Sequence, residues 1–169
     1  MAPGFQENRP LKYLQRVEAL TSAVVEQRPI RQVGALCFRR VGDDIEVLLI
    51  TTRRTGRWFI PKGWPMEGLN DFEAAAREAW EEAGVRGKVK KKVYGCVGCE
   101  KTLQNLFTVA AVVDVYLLEV RHTRSKYPER RERDRRWFGL RQAAEVVTEP
   151  ELRSLLYKLS RRLRSKKPC

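Results

Sequence analysis

The chain has 169 residues, which fits one main domain, and 43% of them are hydrophobic, enough for a core and against global disorder. No apolar run reaches the roughly 18–20 residues of a membrane span, and the longest, 109–120, is interrupted by Asp114 and Glu119. Lys and Arg number 34 against 21 Asp and Glu, a net charge of +13 that points to anionic partners, nucleic acid or phosphate-rich small molecules, and not to a membrane.

The opening residues Met1-Ala2-Pro3-Gly4-Phe5 have neither a cationic lead nor an apolar signal core, so a cytoplasmic location is expected. Residues 1–29 read as an N-terminal extension. Leu11, Leu14, Val17, Val24 and Val25 partly follow helical spacing and predict a helix over 11–26, which Arg28-Pro29 stops. Residues 33–38 read as a buried strand, Gly42-Asp43-Asp44 as a turn and 45–52 as the second arm of a hairpin. Residues 58–60 are a short strand ended by Pro61, followed by a loop over 62–69 that carries Gly63, Pro65 and Gly68. A helix follows: Asn70 is its N-cap, Glu73 completes a capping box, five alanines in 74–83 favour it, and Gly84 closes it.

Further strands are predicted at 89–94 and 106–120, then a connection over 121–136 with eight basic and three acidic residues, and a last strand at 136–138. A short helix at 140–147 precedes a final one, opened by Thr148-Glu149-Pro150-Glu151 and carrying Leu152, Leu155, Leu156 and Leu159 on one face. The basic tail, 161–169, is expected to fray. Trp58 and Trp80 are assigned to the core, and Trp64 to packing of the 62–69 loop. This order predicts an α/β fold, a mixed β-sheet between helices. The four cysteines, Cys37, Cys96, Cys99 and Cys169, are too sparse for a disulfide scaffold. The Cys96-Val97-Gly98-Cys99 run lacks the further ligands a structural zinc site needs, and reads as two thiols at a strand end.

The most informative stretch is Arg77-Glu78-Ala79-Trp80-Glu81-Glu82-Ala83-Gly84. On a helix Glu78, Glu81 and Glu82 fan over one turn, where like charges repel. Arg77 can pair with Glu73 or Glu81, which leaves two carboxylates to satisfy. A hard divalent cation would satisfy them and keep waters for a phosphate ligand; a solvated acidic face is the alternative.

Gly63 followed by Arg77-Glu78-Ala79-Trp80-Glu81-Glu82-Ala83-Gly84-Val85 resembles the Nudix box, which spans residues 63–85 here. One position departs: Leu69 stands where the box has its first Glu, which bears on the metal count more than on activity. Outside the box, Arg31-Gln32-Val33-Gly34-Ala35-Leu36-Cys37-Phe38-Arg39, Val47-Leu48-Leu49-Ile50-Thr51-Thr52-Arg53-Arg54 and Arg135-Arg136-Trp137-Phe138 resemble the diphosphoinositol polyphosphate phosphohydrolase branch. The resemblance implies a Nudix-type α/β/α sandwich over residues 30–160. It also implies hydrolysis of a phosphoanhydride bond with Mg²⁺, or Mn²⁺, as cofactor.

By the same resemblance Glu78, Glu82 and the Lys62 backbone carbonyl are the metal ligands and Glu81 the general base, oriented by Arg77. Arg31, Arg54, Lys62, Gly63 and Arg135 are the substrate contacts, and Glu100 or Glu132 a further acidic ligand. The basic composition favours highly anionic substrates, diadenosine polyphosphates or diphosphoinositol polyphosphates. RNA 5′-pyrophosphate and ADP-ribose-type substrates are alternatives, as is a catalytically silent module that binds RNA or another polyanion. Residues 11–25 are a further place where two chains could pair.

Overall fold

The computed structural model describes residues 9–103 and 107–164. In chain order the elements are α1 (Arg9–Val25), β1 (Ile30–Val41), β2 (Asp44–Thr51), β3 (Trp58–Phe59), β4 (Lys62–Gly63), α2 (Asp71–Ala83), β5 (Val85–Val89) and β6 (Gly95–Leu103). After them come β7 (Phe107–Thr123), β8 (Arg135–Gly139), α3 (Leu140–Val146) and α4 (Pro150–Arg164). The strands form one mixed sheet of order β3-β2-β1-β7-β5, with β4 on β1, β6 on β7 and β8 on β2. The predicted hairpin is the antiparallel β1–β2 pair, in register from Phe38 opposite Val47 to Val41 opposite Asp44.

Alternation along the central strands explains the layers, because successive side chains leave opposite faces. Leu36, Phe38, Val47, Leu49, Val113, Val115 and Leu117 face one side, where Ala143 and Ala144 of α3 and Leu152, Leu155, Leu156 and Leu159 of α4 cover them. Val33, Ala35, Cys37, Leu48, Ile50, Tyr116 and Leu118 face the other side, under Ala74, Ala75, Ala79 and Ala83 of α2. Strands buried on both faces read as continuous apolar runs, as 47–50 does. The result is the expected α/β/α sandwich. The alanine stripe of α2 lets that helix lie close to the sheet. Arg153 ties α4 to the end of α3 by donating to the carbonyls of Ala144 and Val147 at 2.9 and 3.0 Å.

The chain divides into two compact units. One holds the described residues up to Ile30 together with 100–111; within it Leu14, Val17, Val24 and Val25 of α1 are exposed apolar side chains, and Thr102 and Thr108 share a hydroxyl hydrogen bond of 3.2 Å. The other, residues 31–99 and 112–169, holds the sandwich and everything below. No helix among the described residues is long and apolar enough to cross a membrane.

Four expectations change. The strand predicted at 89–94 lies earlier, as β5: among the described residues it pairs only with β7, and it carries a bulge between Arg86 and Gly87, so its outer positions are polar and the apolar signal is lost. The loop predicted over 62–69 begins with β4, which pairs Val33 with Gly63 and Gly34 with Lys62. The last helix runs to Arg164, into the expected tail, because Leu163 continues its apolar face onto the core. Trp80 is half-buried with the Arg86 guanidinium 4.1 Å above its ring, whereas Trp58 does pack edge-on against Phe138.

Candidate active site

α2 is built by strong local signals at both ends. At its start Asn70 and Glu73 form the predicted capping box, the Asn70 N–H donating to Glu73 Oε2 at 2.9 Å. At its end Gly84 takes the left-handed conformation, φ 65°, and a side chain there would collide with Tyr127. Arg135 Nη1 donates to the last helical carbonyl, Ala83 O, at 2.5 Å and stacks 4.8 Å from the Tyr127 ring centroid. A cation at a helix C-terminus offsets the dipole, so Arg135 serves the helix end.

Glu78 and Glu82 lie one turn apart and 40° apart around the helix axis; both are buried, 8% and 5% exposed. Glu78 packs onto Gly63 of β4 so closely that a side chain at 63 would occupy the place of its carboxylate. This is the physical reason for glycine at that position. Glu82 Oε2 accepts the Lys62 backbone N–H at 2.9 Å, and Oε1 accepts Arg133 Nη2 at 2.5 Å. Burial pushes the Glu82 carboxyl above the usual carboxylate range, and the charge of Arg133 and the Lys62 N–H oppose that shift.

Glu81 is half-buried and accepts Arg77 Nε at 2.9 Å. Among the described residues no three carboxylate, thiol or imidazole groups form a cage, and Glu81 stands beside the Glu78–Glu82 pair rather than within it. The helix period explains it, since Glu81 sits 60° away from Glu78 on the side opposite Glu82. What remains is a pair of buried carboxylates facing β4. That oxygen-donor pair fits a hard divalent ion that completes its shell with waters.

The residue that sequence reasoning missed is Arg133. Its side chain is 12% exposed, and besides Glu82 it reaches Glu129 Oε2 at 2.9 Å and the Thr51 carbonyl at 3.3 Å. Arg53 bridges Glu129 and Glu132, both at 2.7 Å, and the Glu129 N–H donates to the Glu81 carbonyl at 2.9 Å. Glu129 is thus the acid joined to the site through Arg133, while Glu132 pairs with Arg53 and Glu100 is an exposed residue of the other unit. The spacing of Glu129 and Arg133, four apart within the charged 121–136 run, was the one sequence signal available.

Beside this network opens a cleft of about 440 Å³, lined by Thr51, Thr52, Arg53 and Gly56 on one side and by residues 130–134 on the other. Arg53, Arg130, Arg131 and Arg133 outnumber Glu132 and Asp134 along it, and its lining includes no aromatic ring. Arg54 is exposed in the adjoining turn. Lys62 is half-buried, its ammonium 5.6 Å from the Phe59 ring centroid, and Trp64 is half-buried as well. Leu69 is exposed just ahead of the Asn70 cap.

Arg31 lies at the other end of α2: its guanidinium pairs with Asp71 at 2.5 Å and Asp114 at 2.7 Å. Glu82 is eleven residues beyond Asp71, roughly 16 Å along the axis. The structure therefore brings Lys62, Gly63, Glu78 and Glu82 together, with Arg77 and Glu81 one step around the helix, and leaves Arg31 apart. No described cysteine is in a disulfide: Cys37 is buried, Cys99 half-buried against the core, and Cys96 exposed, donating to Asp114 Oδ1 at 3.2 Å; Cys169 lies outside the described residues.

Residues 29–162 match the family described as the NUDIX domain. Over 135 residues, 73% of this chain and 75% of the relative, it is 30% identical to Nudix hydrolase 16, mitochondrial, of Arabidopsis thaliana. Over a shorter stretch of 59 residues, 35% of the chain and 36% of the relative, it is 37% identical to the mouse (Mus musculus) diphosphoinositol polyphosphate phosphohydrolase 3-alpha. Its fold is similar to a C. elegans Ap4A hydrolase (TM-score 0.57, 21% identity, covering 80% of this chain and 98% of that one). It is also similar to the NUDIX domain of Shewanella oneidensis NrtR complexed with ADP ribose (TM-score 0.59, 17% identity, 80% and 88%).

Proposed function

From the premise that this chain belongs to the Nudix family and is a hydrolase of pyrophosphate bonds, we propose that it acts, with Mg²⁺ or Mn²⁺, on a highly anionic polyphosphate. Diadenosine polyphosphates and diphosphoinositol polyphosphates are the preferred substrates. The observation that carries this reading is the arginine-lined cleft without aromatic rings, joined to Glu82 through Arg133. Arginine forks suit phosphate oxygens. A substrate of many phosphates gains most from such a wall.

In this reading Glu78, Glu82 and the Lys62 carbonyl hold the metal. When bound, the ion supplies polarisation of a phosphoryl oxygen and acidification of a water. The chain does the rest. Arg133 and the Lys62 N–H oppose the upward shift that burial imposes on the Glu82 carboxyl. Gly63 leaves the space that Glu78 fills. Glu81, half-exposed and oriented by Arg77, takes the proton of the attacking water. Arg53, with Arg54 beside it, and the ammonium of Lys62 draw the phosphates in, while Arg135 fixes the helix end that aims Glu82.

The test is a panel of diadenosine tetraphosphate, a diphosphoinositol polyphosphate, ADP-ribose and a 5′-triphosphorylated RNA with each metal. The reading expects kcat/KM for diadenosine tetraphosphate and the diphosphoinositol polyphosphate to exceed that for ADP-ribose and for the RNA, and Arg53→Ala to raise KM for the preferred substrate. A preference for ADP-ribose that Arg53→Ala does not alter would refute it.

A further inference from the structure

A second basic surface of the sandwich lies outside this site. β5 is an edge strand, with β7 as its only strand neighbour among the described residues. Residues 86–92 read Arg-Gly-Lys-Val-Lys-Lys-Lys, five cations and no carboxylate, and all five are exposed. Three of them have company: Arg86 stacks on Trp80, Lys91 lies over Phe72 at 5.9 Å, and Lys88 is opposite Glu119. Lys90 and Lys92 extend the charge toward Tyr94.

Tyr94 joins this segment to α4. It is buried, its hydroxyl donates to the Leu155 carbonyl at 3.4 Å, and its own carbonyl accepts Lys158 Nζ at 3.0 Å. The Lys158 ammonium is 4.6 Å and the Arg162 guanidinium 6.0 Å from its ring centroid. Two cationic segments distant in sequence thus meet on one surface. The outer face of α4 presents Lys158, Arg161 and Arg162, all exposed, and Tyr157 among them, 49% exposed.

We propose that this surface, Lys90 and Lys92 with Lys158, Arg161 and Arg162, binds the backbone of single-stranded RNA and that Tyr157 stacks on a base. A cationic track with an exposed ring is the arrangement that holds single strands without reading sequence. A lipid surface fits less well. A helix lying in a bilayer interface needs its apolar face free, and Leu152, Leu155, Leu156 and Leu159 spend theirs in the core. The proposal stands apart from the hydrolytic reading, since none of its residues belongs to the metal or cleft groups.

The test uses the full chain and a 3′-fluorescein RNA of about 20 nucleotides with a 5′-hydroxyl, which offers the hydrolytic site no phosphoanhydride. Arg161→Glu/Arg162→Glu and Lys90→Glu/Lys92→Glu are each expected to weaken binding about tenfold and to flatten the salt dependence, by about 0.7 in log–log slope per lost contact. Tyr157→Ala should weaken it about fivefold with the slope unchanged. Cleavage of diadenosine tetraphosphate should persist in all three. Should charge reversal on α4 unfold the chain, Lys90→Gln/Lys92→Gln, on the exposed bend, gives the same reading at smaller amplitude. Equal affinity across wild type and variants, loss of binding only in Arg53→Ala, or capture by phosphatidylserine vesicles without RNA binding would each overturn it.

Discussion

The two ends of α2 carry the same chemistry in different surroundings. At the start, Arg31 forks onto Asp71 and Asp114 with half its side chain in water; at the end, Arg133 forks onto Glu82 and Glu129 with both Arg133 and Glu82 nearly sealed. An exposed ion pair contributes little, whereas a sealed one leaves an uncompensated charge when one partner is lost. The first is a clip on a helix end. The second couples the fold to the site, because the carboxylate it neutralises is one we assign to the metal.

That contrast is tested most severely by removing the sealed acid. Glu82→Gln keeps the shape and should lower metal-dependent hydrolysis on the order of 10³-fold, several kcal/mol of lost charge stabilisation, with a circular dichroism spectrum like wild type. Arg133→Met comes next. It leaves the buried Glu82 without its guanidinium, while Glu129 keeps Arg53, and should cost about 3 kcal/mol or more of stability in chemical denaturation, along with activity. Its counterpart Arg31→Met should cost about 1 kcal/mol or less and lose even that in high salt. Equal losses from Arg31→Met and Arg133→Met would erase the distinction.

The smallest expected effect is at the exposed end. Asp114 accepts the Cys96 thiol hydrogen, and this bond, with burial, raises the thiol above its ordinary range. A raised value means less thiolate at a given pH. Asp114→Asn removes the acceptor charge, so Cys96 should alkylate several-fold faster at about pH 8. An unchanged rate would mean that the hydrogen bond does not control the thiol.

How far the sequence reached follows the range of the interactions. α2 was legible to its caps because Asn70, Glu73 and Gly84 act within a turn or two of themselves. The two-faced central strands were legible because burial on both sides leaves unbroken apolar runs. β5 was misplaced because an edge strand with a bulge keeps polar residues at its outward positions. The Arg77–Glu81 pair was legible as the caps were, from a spacing of four on one helix. Arg133 was out of reach. Its bond to Glu82 spans 51 residues and depends on how the segment after β7 folds back. No local pattern distinguishes it from the seven other cations of its run.

The grip of Lys62 on Glu82 is made by main chain, which no ordinary side-chain exchange can delete. Lys62→Ala therefore removes an ammonium and spares the tether, while Lys62→Pro removes the donor itself. One position thus offers two separable controls, over the charge we assign to the phosphates and over the aim of the carboxylate behind it.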